Sequence, residues 1–301
     1  FIMGTLSVFA DEIDQWFWPQ IRHVETTQPV SLDRLYDAAI ELSDPKPAAM
    51  ALVLPTERMP AAQILVVKDG RRWINLVDPE TYDEIAPIDS ASASQVFYPM
   101  HYRLHVPGGR WIVGATSMFL LLALFSGIVI HKKIFVDFFT FRKGKKLPRV
   151  SLDLHNLTSV LAMPFHLAIT ITGILIFASL YLERSAQALY PEAESARSAV
   201  AADIYGGYAR EQSGQTNLRV SSLDAMAIRT RLYYDGQPVA GAYLRYPHDE
   251  NGTVRLVSRG KDVVSVSNNS MFFDADNGAV LKTPEISAAA KSQDFIIGMH
   301  E

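Results

Sequence analysis

Cysteine is absent from the 301 residues. Disulfide staples, thiolate-held iron–sulfur clusters and cysteine nucleophiles are therefore excluded. Also missing are a G-x-G-x-x-G fingerprint, a P-loop, an H-E-x-x-H pair and a serine nucleophile motif, so the chain carries no signature of nucleotide, zinc-peptidase or acyl-transfer chemistry. The net charge of −4 offers no basic excess to nucleic acid. Charge is missing altogether from two stretches, Trp111–Ile130 and Leu157–Leu182, the second holding one histidine, His166. Each is at or above the ~20 residues a helix needs to cross a bilayer, and both are read as transmembrane helices.

Between these blocks lies a segment in which Lys132, Lys133, Arg142, Lys143, Lys145, Lys146 and Arg149 face one acid, Asp137. The positive-inside rule makes this loop cytoplasmic, and both flanking regions then lie across the membrane, which in a bacterium is the periplasm. Residues 1–10 (FIMGTLSVFA) read as the end of an earlier span, and FIIGMHE at the other end reads as the opening of a later one. The expected plan is a four-span protein with two complete spans in this chain. Its parts are the end of a first span at 1–10, a lobe at 11–108 and a second span at 109–131. A basic loop at 132–152, a third span at 153–182, a second lobe at 183–295 and the start of a fourth span at 296–301 complete it.

The plan occurs twice. MGTLSVF around Gly4 resembles TGILIF around Gly173, and SLDRLYDAAI from Ser31 resembles SLDAMAI from Ser222. LVDPETYDEI from Leu76 resembles FFDADNGAVL from Phe272, and YPMH ending at His101 resembles IGMH ending at His300. Four matches in the same order point to a duplicated unit of about two hundred residues. Each lobe reads as a short helix and a few antiparallel strands. Ser31 is a plausible N-cap, followed by MALVLP, AQILVVKDG and RRWINLVDPE; Leu223–Leu232 is helical, followed by GAYLRYP, TVRLVSRG and VSNNSMFFDADNG. Asp274-Ala275-Asp276-Asn277-Gly278 reads as a strand turn in preference to a calcium loop, whose later ligands are missing.

The stretches ending in Asp78-Pro79-Glu80-Thr81 and Asp274 to Gly278 resemble the PepSY domain. Together with Leu154-His155, Thr172-Gly173, GTLSVFADEIDQW (Gly4 to Trp16) and the histidines at 101 and 300, the whole chain resembles the PepSY-associated transmembrane family. That resemblance implies two small α+β PepSY-like periplasmic domains on a helical membrane scaffold. Its ferric-siderophore reductase branch implies an inner-membrane oxidoreductase, with ferric siderophore as substrate and a quinol or a reductase as electron donor. A histidine expected in the first span, the repeat partner of His155, would precede residue 1.

The histidines give this expectation a physical basis. A neutral imidazole in lipid needs partners, so an ionisable residue inside a span is a functional candidate. His155 and His166 are eleven residues apart, which returns to nearly the same helix face about 16 Å further along. Two imidazoles at two depths are what two stacked b-type haems require, each with a second histidine from another helix. An inner haem would use His155 with His131 or the first-span histidine, beside Gly127; an outer haem would use His166 with His300 or His101. Pro164 lies between the two and can kink the helix. Taken singly, each histidine also fits a hydrogen bond to a neighbouring helix or a place among headgroups, and His23, His105 and His248 read as loop residues. Asp11, Glu12 and Asp14 read as the polar end of a span in preference to a carboxylate cluster at the membrane surface, and Trp16, Trp18, Tyr98, Tyr190 and Tyr205 as an interfacial belt in preference to a substrate pocket. The competing functions are a membrane-anchored PepSY binding or regulatory module without redox activity, and a siderophore transport subunit.

Overall fold

A computed structural model describes residues 2–43, 47–68, 71–88, 92–130, 147–181, 187–188, 190–191, 199–200, 207–208, 210–216, 219–260 and 268–300. The helices are α1 (Ile2–Val8), α2 (Ala10–Phe17), α3 (Leu32–Leu42), α4 (Ala93–Arg103), α5 (Gly109–Ile130), α6 (Leu147–Ile176), α7 (Ala178–Tyr181), α8 (Leu223–Tyr233) and α9 (Ala288–His300). The strands are β1 (Ala49–Val53), β2 (Ala62–Lys68), β3 (Arg71–Val77), β4 (Glu84–Ile88), β5 (Val239–Arg245), β6 (Thr253–Arg259), β7 (Asn268–Asp274) and β8 (Val280–Lys282). The chain divides into two compact units. One comprises Phe1–Tyr102 with Ser198–Asp294, and the other Arg103–Arg197 with Phe295–Glu301.

In the first unit all eight strands form one antiparallel sheet in the order β4-β3-β2-β1-β5-β6-β7-β8. The two α+β halves are thus joined edge to edge through β1 and β5, which removes two unpaired edges that would otherwise invite aggregation. The register is symmetric in the repeat. The shift that carries Ser31 onto Ser222 also carries the pair Met50–Leu244 onto Gly241–Val53, and Ala51–Tyr243 onto Ala242–Leu52. Gly241 is required at this seam, because a Cβ there would lie 2.4 Å from the Leu52 carbonyl oxygen. Alternation along the strands sends Leu52, Ile64, Val66, Leu244, Leu256, Met271 and Phe273 to one face. There they pack under Leu32, Leu35 and Ala39 of α3 and Leu223 and Met226 of α8. This single shared core makes the duplicated halves mutually dependent: truncating a side chain such as Phe273 would cost about 3–5 kcal/mol.

The repeated Ser-Leu-Asp motif has a reciprocal role. Ser31 and Ser222 are N-caps, each accepting a backbone N–H three residues on, from Arg34 and Ala225 at 3.2 Å. The aspartates cap the opposite helix. Asp224 accepts from Leu32 N at 2.7 Å and from Ser31 Oγ at 2.6 Å, while Asp33 accepts from Leu223 N at 2.5 Å and from Ser222 Oγ at 2.7 Å. Carboxylates placed at helix N-termini also meet favourable dipoles. The strand turns repeat as well. Asp78 Oδ1 accepts from Glu80 N and Thr81 N, as Asp274 Oδ1 does from Asp276 N and Asn277 N. Tyr82 and Gly278 then occupy equivalent left-handed positions, both with φ of 69°. For tyrosine this costs about 1–2 kcal/mol. It is offset by a hydrogen bond from Ser31 N to Tyr82 Oη at 2.8 Å and by the Arg34 guanidinium 4.1 Å from its ring.

Among the described residues two helices are long and apolar enough to span a bilayer, α5 and the segment Asp153–Ile176 of α6, and both belong to the second unit. Only 6% of the α5 window and 17% of the α6 window are buried, which is opposite to the core helix of a soluble protein and fits a surface solvated by lipid. Where α5 begins, it packs closely on Tyr181 of α7, the short helix that follows α6. A Cβ on Gly114 would lie 2.5 Å from Tyr181 Cζ, and Tyr181 Oη donates to the Arg110 carbonyl at 3.0 Å. The helix carrying His101 is separate from the span that follows. Leu104, His105 and Gly108 adopt φ of 56°, 51° and 73°, and Gly109 must be glycine because a Cβ would meet the Arg103 carbonyl oxygen. Likewise α1 and α2 are distinct helices broken at Phe9.

Loss of either capping aspartate tests the reciprocal arrangement. Asp33→Ala and Asp224→Ala are each expected to destabilise the sheet unit by about 1–2 kcal/mol, measured by denaturant melts of the full chain. A double-mutant cycle is expected to be non-additive, because both changes release the same helix pair.

Candidate functional site

Two imidazoles sit on glycines of preceding helices, and the two arrangements are repeat equivalents. In the sheet unit, a Cβ built on Gly4 of α1 would stand 3.0 Å from His101 Cε1 and 3.1 Å from its Nδ1. In the membrane unit, a Cβ built on Gly173 of α6 would stand 3.0 Å from His300 Cε1 and 3.6 Å from its Nδ1. Each ring therefore lies in a notch that a larger residue would fill. Both histidines are half-buried. Thr172, the residue before Gly173, is buried and has its Oγ1 3.0 Å from His300 Nδ1.

The surroundings explain how these rings are positioned. His101 is carried by α4, whose first N–H groups are capped from a distance: Asp14 of α2, fully buried, accepts from Ala93 N and from Ser94 N at 3.2 Å. His300 ends α9, which has a local cap, Ser287 Oγ accepting from Ala290 N at 3.0 Å. The three acids after the first helix thus do not gather as one polar cluster. Asp14 caps α4, and Glu12 forms a two-point pair with Arg58 at 2.8 and 2.9 Å. The Arg58 hydrogen bonds hold the Glu12 carboxyl below the usual range. Burial pushes Asp11 up, more than Arg58 draws it down. Arg58 also donates to the Val8 carbonyl, closing the C-terminal end of α1. Gly4 and the Asp14 cap are consequently held together through α1, α2 and the loop at Arg58.

His155 and His166 both lie on α6, which continues as a helix through Pro164. By helical periodicity His155, His166 and Gly173 share one face, since eleven and eighteen residues each return close to a whole number of turns. His166 is half-buried. His155 is exposed, with its Nε2 3.5 Å from Ser159 Oγ, one turn on along the same helix. Gly127 on α5 has nothing within 4 Å of an added Cβ, so that face of the span has open space. His131, the basic residues Lys132 to Lys146 and Tyr205 lie outside the described residues. Among the other aromatics expected at an interface, Trp16 and Tyr98 are exposed at 67% and 56%, whereas Trp18 packs beside Ile21, Met59 and Leu76.

The donor chemistry can be compared with haem b. Among the described residues, no three of His, Asp or Glu gather to hold a metal ion, so a bare cation has no ready cage. A haem iron needs only one or two axial imidazoles, neutral and fixed in tautomer, in a setting that excludes water. His300, its Nδ1 3.0 Å from Thr172 Oγ1 and its ring against Gly173, is restrained as an axial ligand would have to be, and the donor present fits the group. Thr172, Gly4 and Gly173 enter the sequence reading as motif residues only, and the structure places them against the histidines. The signal for the glycines is their recurrence ahead of each repeat's terminal histidine.

These features define an integral membrane protein built by duplication, with two apolar helices, one shared α+β sheet and a glycine-seated imidazole in each copy. The chain belongs to the family described as the PepSY-associated TM region, whose model matches residues 1–301. Among curated proteins nothing matches significantly.

The unequal capping of the two histidine-bearing helices yields a test. Asp14→Ala is expected to leave two buried N–H groups unpaired, costing about 1–3 kcal/mol. Hydrogen exchange should accelerate across α4 while α9, capped by Ser287, keeps its protection; equal loss in both helices would contradict the assignment.

Proposed function

We propose that this protein is a haem b oxidoreductase of the bacterial inner membrane, passing electrons across the bilayer to reduce ferric siderophore iron in the periplasm. The observation that carries the reading is the imidazole seat: His300 over Gly173 with its Nδ1 on Thr172, repeated as His101 over Gly4. An ionisable side chain packed on a membrane-spanning helix, as His300 is on Gly173, is a functional candidate by default. Two haems are proposed, with His155 and His131 or a first-span histidine toward the cytoplasmic side, and His166 with His300 or His101 toward the outer side. The basic segment between α5 and α6 supports the orientation.

Bound haem supplies reversible one-electron chemistry between ferric and ferrous iron. The chain's own residues supply the rest. His300 presents a neutral ring held in one orientation. The glycines allow it to approach the helix closely, and the apolar spans exclude water and lower the local dielectric, which tunes potential. A quinol or a reductase is the proposed electron source, releasing its electrons at the cytoplasmic side. Each ferric siderophore takes up one electron, and ferrous iron, less charged, is held less firmly by hard oxygen ligands.

A second reading has one observation in its favour. The single eight-stranded sheet, locked by reciprocal helix caps, is a rigid platform suited to binding a partner, and a PepSY module without redox activity would need no more than that.

The two readings separate in vesicles. Full-length protein supplied with haem and reconstituted with a quinol donor is expected to generate ferrous iron from a ferric siderophore, trapped by a ferrous-selective chelator. His166→Ala and His300→Ala should each lower the rate by about tenfold or more. An unchanged rate in both variants, or no ferrous iron with the parent chain, would leave the binding module as the better account.

A further inference from the structure

The hydroxyl of Thr172 makes three short contacts whose donor and acceptor roles can be worked out. Its Oγ1 lies 2.7 Å from the Ala168 carbonyl oxygen, 3.1 Å from that of Ile169 and 3.0 Å from His300 Nδ1. A hydroxyl carries one proton, and carbonyl oxygens only accept. The proton is therefore spent on the backbone of α6, a back-bonded geometry common for threonine inside helices. What remains for His300 is an oxygen lone pair, so Nδ1 must be the donor. The neutral ring then carries its own lone pair on Nε2.

We propose that Thr172 is a positioning residue for His300, holding it in the Nδ1-protonated tautomer so that Nε2 is the atom that binds iron. This rests on the reading of His300 as an axial ligand. The ring is restrained twice, by the hydrogen bond at Nδ1 and by the Gly173 notch at Cε1. A partner on the far nitrogen also raises the basicity of the ligating one, which favours ferric over ferrous iron.

The test uses the full chain in lipid nanodiscs, with Thr172→Val removing only the hydroxyl function and Thr172→Ser restoring it. Nitrogen NMR of histidine-labelled, haem-free protein is expected to show His300 protonated at Nδ1 in the parent and in T172S, and a shift toward Nε2 protonation in T172V. On haem titration T172V should bind about 10- to 100-fold more weakly at one centre. The midpoint potential of that centre should rise, and T172S should bring both values back. Nε2 protonation in the parent, or an unchanged spectrum and potential in T172V, would overturn the proposal. A parent chain with Nδ1 protonated that takes up no haem would confirm the hydrogen bond and overturn the haem reading on which the positioning role depends.

Discussion

The antiparallel pairing of β1 with β5 is the contact on which the rest of the sheet unit depends. Without it each half would be a four-stranded sheet with one helix, too little buried surface to be independently robust. With it, α3 and α8 cover one continuous core, and their N-termini come near enough to exchange capping carboxylates. The exchange is self-checking. Asp33 serves α8 only if α8 is in register, and Asp224 serves α3 only if α3 is. A duplicated sequence has thus been turned into a single folding unit, with the motif that records the duplication placed at its symmetric contact.

The same duplication produces the imidazole seats, where the governing constraint is how a polar ring finds partners at a helix surface. In lipid a polar ring must find its partners within the protein. A helix offers few, because its own backbone is already paired. Glycine exposes the helix surface so that a ring can lie against it, and a neighbouring threonine, bonded to its own carbonyls, offers a spare lone pair. Gly173 and Thr172 together satisfy both demands for His300. In the sheet unit a buried aspartate caps α4, and an arginine pairs with Glu12 and closes α1.

Much of this was legible before any coordinates. Both spans announce themselves as uncharged runs, and six strands follow from alternating apolar residues bounded by turn residues. The edge strands β4 and β8 did not, because one contains Pro87 and the other has three residues, leaving no period to read. The break between α4 and α5 was hidden for a similar reason. Leu104 and His105 take left-handed conformations without a glycine to mark them. Ser31 and Ser222 were visible as caps, whereas Asp33 and Asp224 looked like ordinary first-turn acids because their partners are nearly two hundred residues away. Among site residues, the histidines stand out by chemistry alone. Asp14 and Thr172 do not, since an acid after an apolar helix and a threonine within one are both commonplace until their partners are known.

The central claim is that imidazoles in the membrane helices hold iron porphyrin, and the most direct measurement is the haem content and spectrum of the full-length protein produced with ample haem. The account predicts two b-type haems per chain by extraction, with a reduced-minus-oxidised difference spectrum characteristic of bis-histidine, low-spin iron. A folded chain that emerges colourless, its sheet intact by circular dichroism, would contradict it.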